Sequence, residues 1–220
     1  MSGEAIGLKL NRLLVHAGLT PVDAAIGAQF EQYLSLIMRW NAHLNLSSIR
    51  AEDGILSRHF VESIACACAL PAGISTLLDF GSGAGFPGIP IALCRPEISV
   101  VLAESQGKKA AFLQETLRTL RISATVHAGR AELLGNTFDS VVLRAVDRMP
   151  QAVKAAGHLV APAGWLALLT TRSDLAHLQI VAGATFSWPT VVQLPSAAQR
   201  LLALGAREIS SPAAPAIDFT

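Results

Sequence analysis

The sequence predicts an α/β protein: a mostly parallel sheet with helices on both faces and an antiparallel edge, preceded by a helical cap. Three observations carry that expectation. From residue 76 onward, short apolar runs alternate with segments of helical period, the order of a parallel sheet whose crossovers are helices. The first run, Leu77-Leu78-Asp79-Phe80, ends in the glycine-rich turn Gly81-Ser82-Gly83-Ala84-Gly85-Phe86-Pro87-Gly88, which leads into the apolar stretch Ile89 to Cys94. Residues 1–72 hold no comparable strand, only apolar residues at helical spacing.

Ile6, Leu10, Leu13, Leu14 and Ala17 mark a first helix, closed by Gly18 as a C-cap. Thr20-Pro21-Val22-Asp23 supplies an N-cap, a first-turn proline and an acid at the positive helix end. The second helix opened there buries Phe30, Leu34, Ile37, Asn41 and Leu44, and ends within Trp40 to Leu46. A third helix, from about residue 53 to 69, turns Ile55, Leu56, Phe60, Ile64 and Ala67 inward until Pro71-Ala72-Gly73 breaks it. The domain boundary is expected there, giving a cap over 1–72, a sheet domain over 73–209 and a loose proline-bearing tail over 210–220. Beyond the glycine loop, strands are expected at 99–104, 124–127, 138–143 and 165–170, and helices at 108–120, 150–159 and around 175–181. A closing strand pair near 190–194 and 200–204 would form the antiparallel edge.

The 220 residues are 51% hydrophobic, ample for a buried core. Formal net charge is +1, with 5 Lys+Arg against 6 Asp+Glu in residues 1–75, 8 against 7 in 76–150 and 4 against 3 in 151–220. Any nucleic-acid footprint must therefore be local. The three cysteines, Cys66, Cys68 and Cys94, lack metal-ligand spacing and read as buried thiols of a reducing compartment, so no metal is expected. No signal-peptide pattern opens the chain and every apolar run stops well short of a membrane span, which points to a soluble cytoplasmic protein.

The glycine loop carries the chemistry. A dinucleotide fingerprint needs G-x-G-x-x-G, but here Phe86 stands where the third glycine belongs. No Gly-Lys-Ser/Thr follows, so a phosphate-binding Walker loop is excluded as well. The remaining pattern resembles motif I of the class I S-adenosylmethionine methyltransferases, whose cofactor carries no phosphate. Asp79, Gly81, Gly83, Gly85 and Phe86 are then the candidate cofactor wall. The second strand ends in Glu104, 23 positions after Gly81 (104 − 81), near the spacing of an acid that accepts from ribose hydroxyls. After the third strand, Ala131 and Glu132 are placed to meet an adenine ring, though Glu132 equally suits a solvent-facing role. Together these strand ends describe an adenosine site.

The fourth strand ends in Arg144-Ala145, without the Asn/Asp-Pro-Pro-Tyr of enzymes that methylate exocyclic amines and without a cysteine nucleophile. The acceptor should already own a lone pair. Guanine N7 is such an atom, and its methylation needs alignment and exclusion of water but no general base. Arg144 is the candidate catalytic residue. It suits the cofactor carboxylate or a phosphate, because a bidentate contact to guanine O6 and N7 would occupy the attacking lone pair. A structural ion pair with Asp147 or Asp139 is the other reading. Arg39, Trp40, Arg58, His59, Lys108, Lys109, Arg172 and Arg200 are candidate RNA contacts, with the basic residues on phosphate and the aromatic stacking. Trp40, Asn41 and Asn45 suit core and capping roles as well, and His59 suits an interior one.

Trp40-Asn41-x-x-x-Asn45-Leu46-Ser47, Arg58-His59-x-x-x-Ser63, the Asp79 to Pro90 loop, Arg95-Pro96-Glu97, Glu104-Ser105-x-x-Lys108-x-x-Phe112-Leu113, Arg130-x-Glu132 and Arg144-Ala145 run in order along the chain. In this combination the sequence resembles the ribosomal RNA small-subunit methyltransferase G family, also called glucose-inhibited division protein B. The resemblance implies a Rossmann-like class I methyltransferase sheet. It also implies transfer from S-adenosylmethionine to N7 of a guanine in the decoding region of 16S rRNA, with a small ribosomal subunit particle as partner and a monomeric enzyme. Cofactor contacts are implied at Gly81, Phe86, Ala131, Glu132 and Arg144, with Glu104 on the ribose. Three positions depart from the family pattern: Glu62, Thr170-Thr171-Arg172 in place of Lys-Gly, and Leu201-Leu202 after Arg200. Rival readings are a non-catalytic RNA-binding or assembly protein on the same fold, and a methyltransferase for a small molecule or protein.

Overall fold

The computed structural model describes residues 5–195 and 197–209. The tail expected to be loose, 210–220, lies outside the described residues. Helices α1 (Ile6–His16) and α2 (Ala24–Asn41) open the chain, followed by α3 (Glu52–Gly54), a π-helical segment (Ile55–Val61) and α4 (Glu62–Ala69). Then come β1 (Thr76–Phe80), α5 (Gly88–Cys94), β2 (Ser99–Ala103), α6 (Gly107–Leu120), β3 (Ala124–His127) and a 3-10 turn (Ala131–Leu133). The chain finishes with β4 (Phe138–Arg144), α7 (Met149–Leu159), β5 (Val160–Thr171), α8 (Arg172–Ala182), β6 (Phe186–Gln193) and β7 (Arg200–Arg207).

The seven strands form one sheet in the order β3-β2-β1-β4-β5-β7-β6. The pairs from β3 to β5 are parallel, whereas β7 runs antiparallel between β5 and β6. Because side chains alternate along a strand, the central strands feed two cores. Leu77, Val142 and Ala167 point to one face, and Leu78, Val141 and Leu166 to the other. The second face is closed by Val153 and Ala156 of α7 and Leu178 of α8. On the first, Ile89 of α5 and Phe112 of α6 share a continuous cluster with Leu10, Leu14, Phe30, Tyr33, Ile37, Phe60 and Ile64 of the helical region. The N-terminal helices are thereby packed onto the sheet layer rather than hung from it.

Several local expectations differ from the structure. The N-cap of α2 is Asp23, whose carboxylate accepts from the Ile26 amide at 2.8 Å; Thr20 is one turn too early. A side-chain oxygen three residues before a free helix amide is the geometry that satisfies it, and Asp23 alone has it. The third expected helix is broken in register by its π-helical middle. Strand β5 starts at Val160, directly after α7, with a register shift against β4 between Phe138 and Ser140. Pro162 and Gly164 had masked that start, and Ala163 takes a positive φ of 60° there. Cys66 is buried as expected, but Cys68 is exposed and Cys94 only half-buried.

A cleft between the glycine loop and the helical cap

A cleft of about 630 Å³ opens at the carboxyl ends of the parallel strands. Its lining includes Gly81, Ser82, Gly83, Ala84 and Phe86 of the loop, Glu104 after β2, Ala131 and Glu132 of the 3-10 turn, and Arg144 and Ala145 at the end of β4. Leu46, Ser47, Ser48 and His59 contribute a wall from the N-terminal helices.

The loop takes its shape from three glycines with positive φ: Gly81 at 72°, Gly83 at 57° and Gly85 at 90°. Two buried carboxylates fasten it. Glu104, 6% exposed, accepts from the Gly83 amide at 2.9 Å with one oxygen and from the Gln106 amide at 2.7 Å with the other. Asp79, 1% exposed, lies beneath the loop and accepts from the Gly88 amide at 3.0 Å. Burial raises its carboxyl to about 7, against the opposing effect of that hydrogen bond. Asp79 and Gly85 were both expected to face the cofactor, yet neither lines the cleft. Gly85 backs onto the cap, where an added Cβ would lie 2.4 Å from Ile89 Cδ1 and 2.8 Å from the Tyr33 hydroxyl.

Tyr33 was not anticipated. Fully buried on α2, it donates its hydroxyl to the Ala84 carbonyl of the loop. Its ring stacks on Phe60 with centroids 5.3 Å apart and lies 5.4 Å from Phe86. Phe86 stacks in turn on His59 at 4.5 Å and 14°. Aromatic contacts thus run from α2 through the loop to the cleft wall.

Arg144 is oriented by the cap. Its guanidinium donates to Glu62 Oε2 at 2.8 Å, to the Arg58 carbonyl at 2.6 Å and to Ser63 Oγ at 3.3 Å, with a long contact to the His59 carbonyl at 3.5 Å. Arg144 was read as a partner for the cofactor carboxylate or a phosphate, or else for Asp147 or Asp139; its carboxylate partner is Glu62. Asp139 instead accepts from the Ser75 and Thr76 amides, both at 2.9 Å. Arg200, expected to meet RNA, lies with its Nε 2.8 Å from Glu62 Oε1, so one fully buried carboxylate sits between two arginines. Burial lowers the Arg144 guanidinium to about 10, which still leaves it cationic.

His59 lines the cleft, and its Nε2 lies 2.7 Å from Ser47 Oγ. Burial and the neighbouring Arg144, Arg58 and Arg200 charges depress the imidazole to about 3, so it is neutral at physiological pH. Asn41 holds the segment leading to Ser47, its Oδ1 accepting from the amides of Leu46 at 3.0 Å and Ser47 at 3.2 Å.

The other candidate RNA contacts scatter. Arg39 pairs with Glu115 of α6, and Trp40 donates to the same carboxylate at 3.0 Å while packing edge-on to Phe112 at 5.6 Å. These two residues dock α2 on α6. Lys109 reaches the cleft; Lys108 and Arg58 are exposed and adjacent in sequence to the cleft-lining Lys109 and His59, and Arg172 is exposed at the start of α8. Arg130 and Arg148 also line the cleft, although neither was singled out as a contact. Glu132 lines it too, paired with Arg130 at 3.0 Å. Among the described residues no group of three His, Cys, Asp or Glu side chains could hold a metal ion, and no helix is long and apolar enough to cross a membrane.

The family description "rRNA small subunit methyltransferase G" matches residues 26–194, which span both walls of this cleft. The chain belongs to that family. Among proteins named ribosomal RNA small subunit methyltransferase G, one from Xanthomonas euvesicatoria pv. vesicatoria (strain 85-10) is 39% identical over 164 residues, covering 73% of this chain and 76% of the relative. One from Xanthomonas oryzae pv. oryzae (strain KACC10331 / KXO85) is 37% identical over 180 residues, covering 79% and 83%. Solved methyltransferases share the fold despite low identity. A methyltransferase from Pyrococcus furiosus superposes with a TM-score of 0.60 at 12% identity, covering 83% of this chain and 98% of its own. A predicted O-methyltransferase from Agrobacterium tumefaciens gives 0.56 at 18%, covering 69% and 81%. The fold is that of the class I methyltransferases, as the glycine loop led us to expect.

Proposed function

We propose that the protein transfers a methyl group from S-adenosylmethionine to N7 of a guanine in 16S ribosomal RNA. It would act in the cytoplasm as a monomer on a small ribosomal subunit particle. The observation that carries this reading is the composition of the cleft: a glycine loop and carboxylates on one side, cap residues of the family's own motifs on the other.

The residues fit a nucleoside cofactor without phosphate. Glu104, Glu132 and Asp147 line the cleft alongside Lys109, Arg130, Arg144 and Arg148, and the carboxylates suit ribose hydroxyls, an adenine amino group and a sulfonium. Each Glu104 oxygen accepts one backbone amide and keeps a further lone pair for a ribose hydroxyl. Ala131 and Phe86 supply apolar surface for the adenine ring and the carbon chain of the cofactor. Bound there, S-adenosylmethionine supplies an electrophilic methyl group.

What the chain itself contributes is alignment and shelter. Guanine N7 carries no proton, so no side chain has to remove one, in keeping with a neutral His59 and a buried, ion-paired Arg144 at the cleft wall. Arg144 acts by fixing the segment that carries Arg58 and His59 against the loop. Lys109 and Arg148 line the cleft and, with the exposed Arg58 and Lys108 next in sequence to lining residues, suit phosphate contacts that hold the target nucleotide. With a net charge of only +1, such local contacts must be supplemented by shape, which favours an assembled particle over bare RNA.

The test is incubation of purified protein and labelled S-adenosylmethionine with unmodified small subunits, followed by cleavage chemistry specific for N7-methylguanosine. Label on one guanine of 16S rRNA is expected. Transfer only to a small metabolite or a protein would overturn the reading, and faster transfer to bare RNA than to subunits would overturn the particle as substrate.

A further inference from the structure

Both purines present an N7 lone pair, so a site that methylates guanine must read a neighbouring atom. On the same edge guanine carries the acceptor O6 where adenine carries the N6 amino donor. On that edge, a group that separates them without touching N7 must therefore be a hydrogen-bond donor that cannot act as an acceptor. An ordinary serine hydroxyl does not qualify, because it can turn and accept from the adenine amino group.

Ser47 is not in an ordinary setting. Its Oγ already accepts from the Ile49 amide at 3.0 Å and lies 2.7 Å from His59 Nε2. The tautomer of His59 decides what the hydroxyl can do. His59 Nδ1 is buried with no hydrogen-bond partner. An orphaned buried N–H is rarer than an orphaned acceptor, so Nδ1 is the bare nitrogen and Nε2 carries the proton. Nε2–H then donates to Ser47 Oγ, which accepts twice and has no lone pair left. Its own proton must be donated elsewhere, and Ser47 is half-buried on the wall of the cleft.

From this arrangement, and resting on the proposed guanine-N7 activity, we propose that the Ser47 hydroxyl is a specificity-determining donor to O6 of the acceptor guanine, locked into donor-only behaviour by His59. His59 is a positioning residue: held flat on Phe86, it fills the serine's second lone pair and never needs to touch the base. One donor to O6 leaves N7 free, which a bidentate arginine would not. The low imidazole basicity adds a benefit, since a neutral ring does not repel the positive charge that develops on the base during transfer.

The experiment compares initial rates on small subunits reconstituted with guanine or adenine at the methylated position, alongside S-adenosylhomocysteine binding by calorimetry. Ser47→Ala is expected to lower kcat/KM for guanine on the order of 10- to 100-fold and to narrow the guanine-to-adenine ratio, with cofactor affinity unchanged. His59→Phe, which keeps a ring on Phe86 but removes the donor to Ser47, should narrow the ratio similarly. His59→Gln, whose amide nitrogen falls near the Nε2 position, should restore much of the discrimination, a rescue that a merely structural role would not produce. An unchanged guanine rate and ratio in folded Ser47→Ala would overturn the proposal, as would a loss matched by equal loss of cofactor affinity. Wild-type protein that modifies no guanine N7 would instead sink the underlying activity, and this inference with it.

Discussion

Gly83 and Gly85 stand two residues apart in the same loop, and the structure assigns them opposite sensitivities. At Gly83 an added Cβ meets only the Gly81 carbonyl, 3.9 Å away, and the residue lines the cleft. Gly83→Ala therefore carries the left-handed backbone penalty, about 1 kcal/mol, and little steric cost. At a chain length of 220 that corresponds to a fall in Tm of about 2–4 °C. Gly85→Ala combines the same kind of backbone penalty at φ 90° with a Cβ 2.4 Å from Ile89 Cδ1 and 2.8 Å from the Tyr33 hydroxyl. Overpacking adds about 1–3 kcal/mol, for a total of roughly 2–4 kcal/mol. In ligand binding the order reverses. A methyl at Gly83 projects where cofactor would lie against the backbone, and a tenfold rise in Kd, about 1.4 kcal/mol, is the least expected. Thermal denaturation and calorimetric titration with S-adenosylhomocysteine on both variants measure the two effects separately. Gly83→Ala protein that binds as tightly as wild type would refute the placement of the ligand on this loop.

Two further outcomes follow from the buried carboxylates. Removing Glu62 leaves Arg144 and Arg200 close together without their shared counter-charge, so Glu62→Ala should lose about 3–5 kcal/mol in urea denaturation; a loss under 1 kcal/mol would show that the pairing is not maintained in solution. The Asp79 carboxyl is raised by burial from 3.8 to about 7, so the folded chain holds a proton there that the unfolded chain releases. Its contribution to stability is fully present below about pH 4 and is lost as pH rises through 7; Asp79→Asn should flatten the stability profile between about pH 4 and 7, and an unchanged slope would show that Asp79 does not titrate there.

Strand and helix periods were legible because parallel strands buried on both faces and amphipathic helices write themselves into local sequence. The loop was legible for a different reason: glycines at alternate positions have few uses, and Phe86 in the sixth place removed the dinucleotide option. What could not be read were partnerships across the fold. For Arg144 the sequence favoured a cofactor carboxylate or a phosphate, with an ion pair to its chain neighbours Asp147 or Asp139 as the other reading, yet the cap supplies Glu62 from 82 residues away. A signal did exist. Between Arg58 and Arg95 the only Asp, Glu, Lys or Arg residues are Glu62 and Asp79, and an isolated acid in so apolar a stretch is a candidate for burial and needs a partner. Arg39 and Trp40 show the opposite ambiguity. A basic residue beside an aromatic fits a nucleic-acid surface, but it fits equally the docking of one helix on another through Glu115, and sequence does not separate the two.

The cap is therefore more than an added recognition surface. Tyr33 fastens the glycine loop by its hydroxyl, Glu62 and Ser63 fix the arginine at the end of β4, and His59 packs on Phe86 from the cleft side. Each contact joins a cap residue to a strand-end residue that would face cofactor or acceptor base. A displacement of the cap by RNA would be felt at the strand ends through three linkages, two at the glycine loop and one at Arg144, and two of the three are hydrogen-bonded in a buried setting where an unmade bond is costly. Cofactor affinity and RNA engagement are thus expected to be thermodynamically coupled, and reciprocity requires the cofactor to change RNA affinity by the same factor.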